Sequence, residues 1–188
     1  MAVSDLQRFF HFVLSPIPWW HWLMISVLSI ALALFLVMRK KSSLYGAIAG
    51  GLTLACSLVL LETAILARCL GYLPHGTGDG VVWGFGRFFQ GSVYNWVELF
   101  SNFAVFIPFG FFLSESLSSS DRFGAGRCFG YAVLATFALS LCIECLQLLL
   151  HVGFFEVSDL VLNTVGGCFG ACVSLLVRAA FGWNRKSI

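Results

Sequence analysis

Apolar residues run through the chain in long blocks, broken by short polar or glycine-rich segments. A helix needs about 20 apolar residues to cross a bilayer. Five stretches reach that length: residues 19–38, 44–67, 95–117, 129–150 and 159–180. The pattern predicts an all-α, polytopic transmembrane helix bundle of about five spans. Ahead of them, residues 4–15 place Leu6, Phe9, Phe10 and Val13 on one helical face and Ser4, Arg8, His11 and Ser15 on the other. That arrangement predicts a short helix lying in the membrane interface, ended by Pro16 and Pro18. The chain then divides into an interfacial segment (1–18), two N-terminal spans (19–67), a long loop (68–94), a core of three spans (95–180) and a tail (181–188).

Composition reinforces the pattern. Of 188 residues, 59% are hydrophobic and only 11% charged, more apolar surface than a soluble domain of this size can bury. A net charge of +2, without a basic cluster interleaved with aromatics, gives no footing for nucleic acid. Most of the seven cysteines fall inside apolar blocks, which argues against a disulfide framework. Cys142 and Cys145 form a C-x-x-C, and Cys168 and Cys172 stand four apart, spacings compatible with a metal. Small residues lining helix contacts are the simpler reading, so neither metal nor cofactor is expected.

Basic residues set the expected orientation. The run Arg39-Lys40-Lys41 follows the first apolar block instead of preceding it, unlike a cleaved signal peptide. The positive-inside rule puts that run in the cytoplasm and the N-terminus outside. Alternating spans then place Arg122, Arg127, Arg178, Arg185 and Lys186 inside as well. Only Arg8, Arg68 and Arg87 fall outside. Trp19, Trp20, Trp22 and Trp96 lie at the outer span ends, where aromatic anchors belong. The outer loop, 68–94, is too apolar for a free linker, and its glycines and aromatics suit a re-entrant or surface-lying cap over the bundle.

Several polar residues interrupt the spans. Ser140, Glu144, Gln147 and His151 make one stripe at helical spacing on the fourth span. Asp159 and Asn163 share a face at the start of the fifth. That face continues as Gly166, Gly167, Gly170 and Ser174, a groove for close helix contact. Glu98 and Asn102 repeat the spacing at the start of the third span, and Glu62 lies near the end of the second. An unpaired charge facing lipid near the bilayer centre costs at least ~2.5 kcal/mol. Glu62, Glu98, Asn102, Glu144, Gln147, Asp159 and Asn163 are therefore expected to converge on a polar, outward-facing pocket, with Arg68 beside it. Snorkelling and hydrogen bonding between helices are the alternative uses of such residues. Pro108 removes one backbone hydrogen bond and, with Gly110, predicts a bend in the third span.

SNFAVFIPFGFFLSE and IECLQLLLHVGFFEVSDLVLNTVGGCFG together resemble the VanZ-like family of bacterial integral membrane proteins. Asn102, Phe106, Pro108, Phe109 and Gly110 fit its Asn and F-x-P-F-G element. Glu144 and Gln147 fit its E-x-x-Q, and Asp159, Asn163, Thr164 and Gly166 fit its D-x-x-D-x-x-x-N-T-x-G run. The likeness covers residues 95–175. Glu156 stands where that run opens with aspartate, and the arginine that commonly precedes it is missing, leaving Arg68 or Arg87 to replace it.

The resemblance implies a cell-envelope protein of the bacterial inner membrane, in a family linked to teicoplanin resistance. Three functions are compatible with it. One is binding of membrane lipids, of a lipid-linked cell-wall component or of another membrane protein. A second is an intramembrane enzyme with Glu144 or Asp159 as acid or base and His151 relaying protons. The third is a small transporter or channel subunit. The residues leave catalysis open.

Overall fold

The computed structural model describes residues 17–38, 43–72, 80–90, 93–119 and 123–180. The expected interfacial helix, the basic run at 39–41 and the tail lie outside the described residues. Five helices are long and apolar enough to cross a membrane. They are α1 (Trp19–Met38), α2 (Leu44–Leu61), α3 (Val93–Ser118), α4 (Ala125–Leu149) and α5 (Val157–Ala180). The chain is a membrane protein built from transmembrane helices. The helices α3 and α4 extend beyond the apolar blocks into the intervening loops, because backbone hydrogen bonding continues until a residue breaks it. Gly124 sets the start of α4.

Ser43 starts α2: its Oγ accepts the Gly46 backbone N–H at 3.2 Å, satisfying a donor that has no partner within the helix. At its far end α2 changes geometry. It passes through a π-helical stretch, Glu62–Leu66, before a last α turn, Ala67–Cys69. Such a stretch shifts the phase of the residues beyond it and is frequent at functional sites.

Packing centres on α3 and α5, which share the most extensive contact in the bundle. Glycines make this possible. A Cβ on Gly166 would lie 2.9 Å from the Phe103 carbonyl carbon, and one on Gly170 would lie 2.9 Å from that of Ile107. From the opposite side, a Cβ on Gly110 would meet the backbone of Gly167 at 2.7 Å. Gly110 therefore serves the helix crossing, and Pro108 lies exposed within an unbroken α3. Phe106 and Phe109 are buried with Leu60 and Ile143, joining α2, α3 and α4 in one apolar cluster. The first helix, α1, packs on α2 at the edge of the bundle.

Between α2 and α3 the chain forms a short strand, β1 (Val81–Val82), and a 3₁₀ turn, Phe85–Gln90. β1 pairs in parallel with β2 (Phe155–Glu156), which lies between α4 and α5, with Val81 opposite Phe155 and Val82 opposite Glu156. The Phe155 N–H donates to the Gly80 carbonyl and the Ser158 N–H to that of Trp83, each at 3.1 Å. This strap covers one end of the bundle, the capped end. At the far end, Glu115 of α3 accepts from Tyr45 Oη (2.8 Å), Ser174 Oγ (2.6 Å) and Arg178 Nη2 (2.7 Å), fastening α2, α3 and α5 together.

Candidate functional site

The polar stripe of α4 turns inward at the capped end. Glu144 is 2% exposed, and its Oε2 accepts the Glu156 backbone N–H at 2.9 Å. The charged groups acting on it are Asp159, Glu156 and Arg68. One turn further along α4, Gln147 Nε2 donates to the Ala64 carbonyl at 3.3 Å, reaching the π-helical stretch of α2. Arg68 follows that stretch, and its guanidinium lies against Gly153: a Cβ there would be 3.4 Å from Nη1 and 3.5 Å from Gln147 Cβ. On α5, Asn163 Nδ2 donates to Ser140 Oγ at 2.9 Å. Ser158 Oγ donates to Asp159 Oδ1 at 3.3 Å.

Arg68 Nε, a donor, and Asn163 Oδ1, an acceptor, are buried in this cluster without a hydrogen-bond partner among the described residues. A buried polar group without a partner costs about 1–3 kcal/mol. A donor and an acceptor so placed at the same end of the bundle suit a ligand that can both accept and donate.

Of the residues singled out in the sequence, Glu144, Gln147, Asp159, Asn163 and Arg68 lie together, with Ser140, Glu156 and Gly153 among them. Glu62 points elsewhere. Its Oε1 lies 2.6 Å from His21 Nδ1 in a buried pair between α1 and α2, where Trp20 and Tyr72 flank the imidazole. Asn102 is half-buried on α3 and makes no side-chain hydrogen bond among the described residues. Glu98 lies on α3 and Arg87 in the 3₁₀ turn, with their side chains outside the described residues. His151 is exposed at the tip between α4 and β2, with a left-handed φ of 54°.

His21 went unread in the sequence, yet a signal was there. Antiparallel neighbours bring the start of one span to the depth of the other's end, which pairs a histidine opening the first span with an acid closing the second. Among the described residues, no three His, Cys, Asp or Glu side chains are grouped as a metal ion would require.

The family model described as VanZ/LLP1 matches residues 75–178. No curated protein matches the chain, and no solved structure does. The match takes in the strap and α3 to α5, and leaves α1, α2 and Arg68 outside. It spans more than half of the chain and includes four of the five gathered side chains, so this membrane protein belongs to the VanZ/LLP1 family.

Proposed function

We propose that the protein acts in the bacterial cell envelope, in the cytoplasmic membrane with its N-terminus outside. Its capped end faces outward and binds a lipid-linked cell-wall component, and through it influences sensitivity to glycopeptides of the teicoplanin type. The observation that carries this reading is that Arg68 Nε and Asn163 Oδ1, both at the end of the bundle that holds Glu144, are buried without a hydrogen-bond partner among the described residues. Arg68 offers a donor to phosphate oxygens, while Asn163 offers an acceptor to hydroxyl or amide groups of a sugar or peptide.

The test is binding of a fluorescent lipid-linked disaccharide-pentapeptide by the purified protein in nanodiscs. Glu144→Gln and Asn163→Leu should each weaken binding about tenfold, the loss of one good hydrogen bond. Equal binding by both variants, or none by the parent protein, would refute the proposal. Teicoplanin sensitivity of cells carrying the same variants supplies the physiological readout.

An acid–base role rests on the same site. Asp159 and Glu156 lie within reach of the Glu144 carboxyl's charge, which makes Glu144 the candidate acid or base. Conversion of the labelled precursor by the parent protein, lost in Glu144→Gln, would establish catalysis. Transport has less support, because the Glu115 network ties three helices together at the far end of the bundle.

A further inference from the structure

The strap over the site has two unlike sides. Beneath it, Ser158 is fully buried and Glu144 and Asn163 are 2% and 5% exposed. The backbone of Gly84 sits tightly against Ser158, where a Cβ would approach Ser158 Cβ to 2.9 Å. On the outer side, Val81 and Trp83 are each 68% exposed, and Phe89 in the following turn is 91% exposed. Solvent-facing loops do not ordinarily carry such residues side by side, and a contiguous exposed apolar patch marks a contact surface.

Two further observations say what that surface meets. Leu149, Leu150 and Phe154 are exposed at the same end of the bundle, continuing the apolar exterior of α4 towards the strap. Trp83 stands at the end of a bundle of membrane-spanning helices, the level at which tryptophan settles between acyl chains and head groups.

The fastening is light. Among the described residues, a two-residue parallel pairing, two flanking backbone hydrogen bonds and the packing of Gly84 on Ser158 hold residues 80–84 down. Glycines with positive φ, Gly80 at 141° and Gly84 at 78°, stand at both ends. Such residues tolerate backbone rotation that others resist, which gives the segment a pivot at each end.

We infer that residues 80–84 form a lateral gate whose outer face lies in the lipid interface, and that the ligand reaches Glu144 and Asn163 from the leaflet. The ligand is then an amphiphile: its tail stays in lipid while its polar head displaces the strap. This rests on the binding reading above and adds the route and the need for a lipid tail.

The experiment uses the full chain in nanodiscs of phosphatidylethanolamine and phosphatidylglycerol, with its native cysteines replaced. A fluorophore on Trp83→Cys or Phe89→Cys should be quenched by doxyl-labelled lipid and little by aqueous iodide. Strong iodide quenching without lipid quenching would overturn the placement. In a second arm, Val81→Cys and Phe155→Cys, which face each other across the pair, are joined by a short bis-thiol reagent. Joining them should slow uptake of the lipid-linked precursor at least about tenfold, with recovery when the linker is cleaved. Unchanged uptake would overturn the gate. A tail-less, water-soluble disaccharide-pentapeptide should bind far more weakly; equal binding would overturn the leaflet route. If no precursor binds before cross-linking, the binding reading fails and the inferred route fails with it, while quenching still decides where the strap lies.

Discussion

Replacing Gly166 by alanine would set a methyl group 2.9 Å from the Phe103 carbonyl carbon and 3.2 Å from Phe103 Cα. Carbon atoms in good contact stand about 3.7 Å apart, so α3 and α5 must separate by at least about 0.8 Å to admit it, and the Phe103 carbonyl oxygen, closer still, asks for more. A gap of that size forfeits about a quarter to a half of the dispersion along the seam. The atoms in the way belong to backbone, so no side chain can swing aside. Overpacking a core costs about 1–3 kcal/mol, and a rigid neighbour puts this site near the upper end, about 3 kcal/mol. Gly170→Ala meets Ile107 and Phe111 backbone at 2.9 Å and should cost as much. The double variant should cost less than the sum, because the first separation makes room for the second methyl. Gly130→Ala is the control, with nothing within 4 Å of the added carbon; helix propensity favours it by up to about 1 kcal/mol. Reversible unfolding in mixed micelles, titrated with SDS and followed by tryptophan fluorescence, measures all four. Gly166→Ala and Gly130→Ala unfolding within about 0.5 kcal/mol of each other would refute the close-packed seam.

Arg178→Met should destabilise the bundle by about 3–5 kcal/mol in the same titration, since Glu115 keeps its charge in a buried place and loses its cation. Adding Glu115→Leu should restore part of that loss. His21→Phe should cost about 3 kcal/mol by leaving Glu62 buried without its partner. Glu62→Gln, which can still accept from Nδ1, should cost only about 1 kcal/mol. Asn163→Leu should change stability by less than about 1 kcal/mol, because removal of the unpartnered Oδ1 offsets the lost bond to Ser140. The same variant should lose ligand affinity, and a large stability loss with unchanged affinity would make Asn163 helix glue.

The spans were legible because lipid imposes one requirement on every exposed position, and the apolar blocks satisfy it. The face of Gly166, Gly167 and Gly170 was legible for a related reason: glycines at helical spacing have little use in a span except close approach. The stripe of Ser140, Glu144 and Gln147 could also be read, since the period of a helix fixes which residues share a side. Depth alone was a weaker guide. Glu62 lies at the capped end like Glu144, but it faces α1, where His21 is its partner. Spacing within α2 does not say which neighbouring helix an acid will face, and beyond Glu62 the π-helical stretch shifts the phase as well. The strap was legible in character and not in detail, because a two-residue parallel pairing has no pattern of its own. Its register comes from the Phe155 and Ser158 amides seeking acceptors where α4 turns into α5.

The family match begins at residue 75, yet the Glu144 cluster is incomplete without α2. Arg68 supplies the cation acting on Glu144, and the Ala64 carbonyl receives Gln147. Both belong to the segment where α2 leaves regular α geometry. A π-helical turn is less favourable than the α-helix it replaces and persists where neighbours hold it. Here Glu62 opens the turn and is held by His21, so α1 fastens the point at which α2 changes phase. Gln147 holds the same stretch from α4. The α1–α2 hairpin thus serves as the mount that aims Arg68 at the cluster. A truncated chain limited to the matched segment would keep the acids and lose their cation. It should therefore fail to bind an anionic ligand even where its helices still insert.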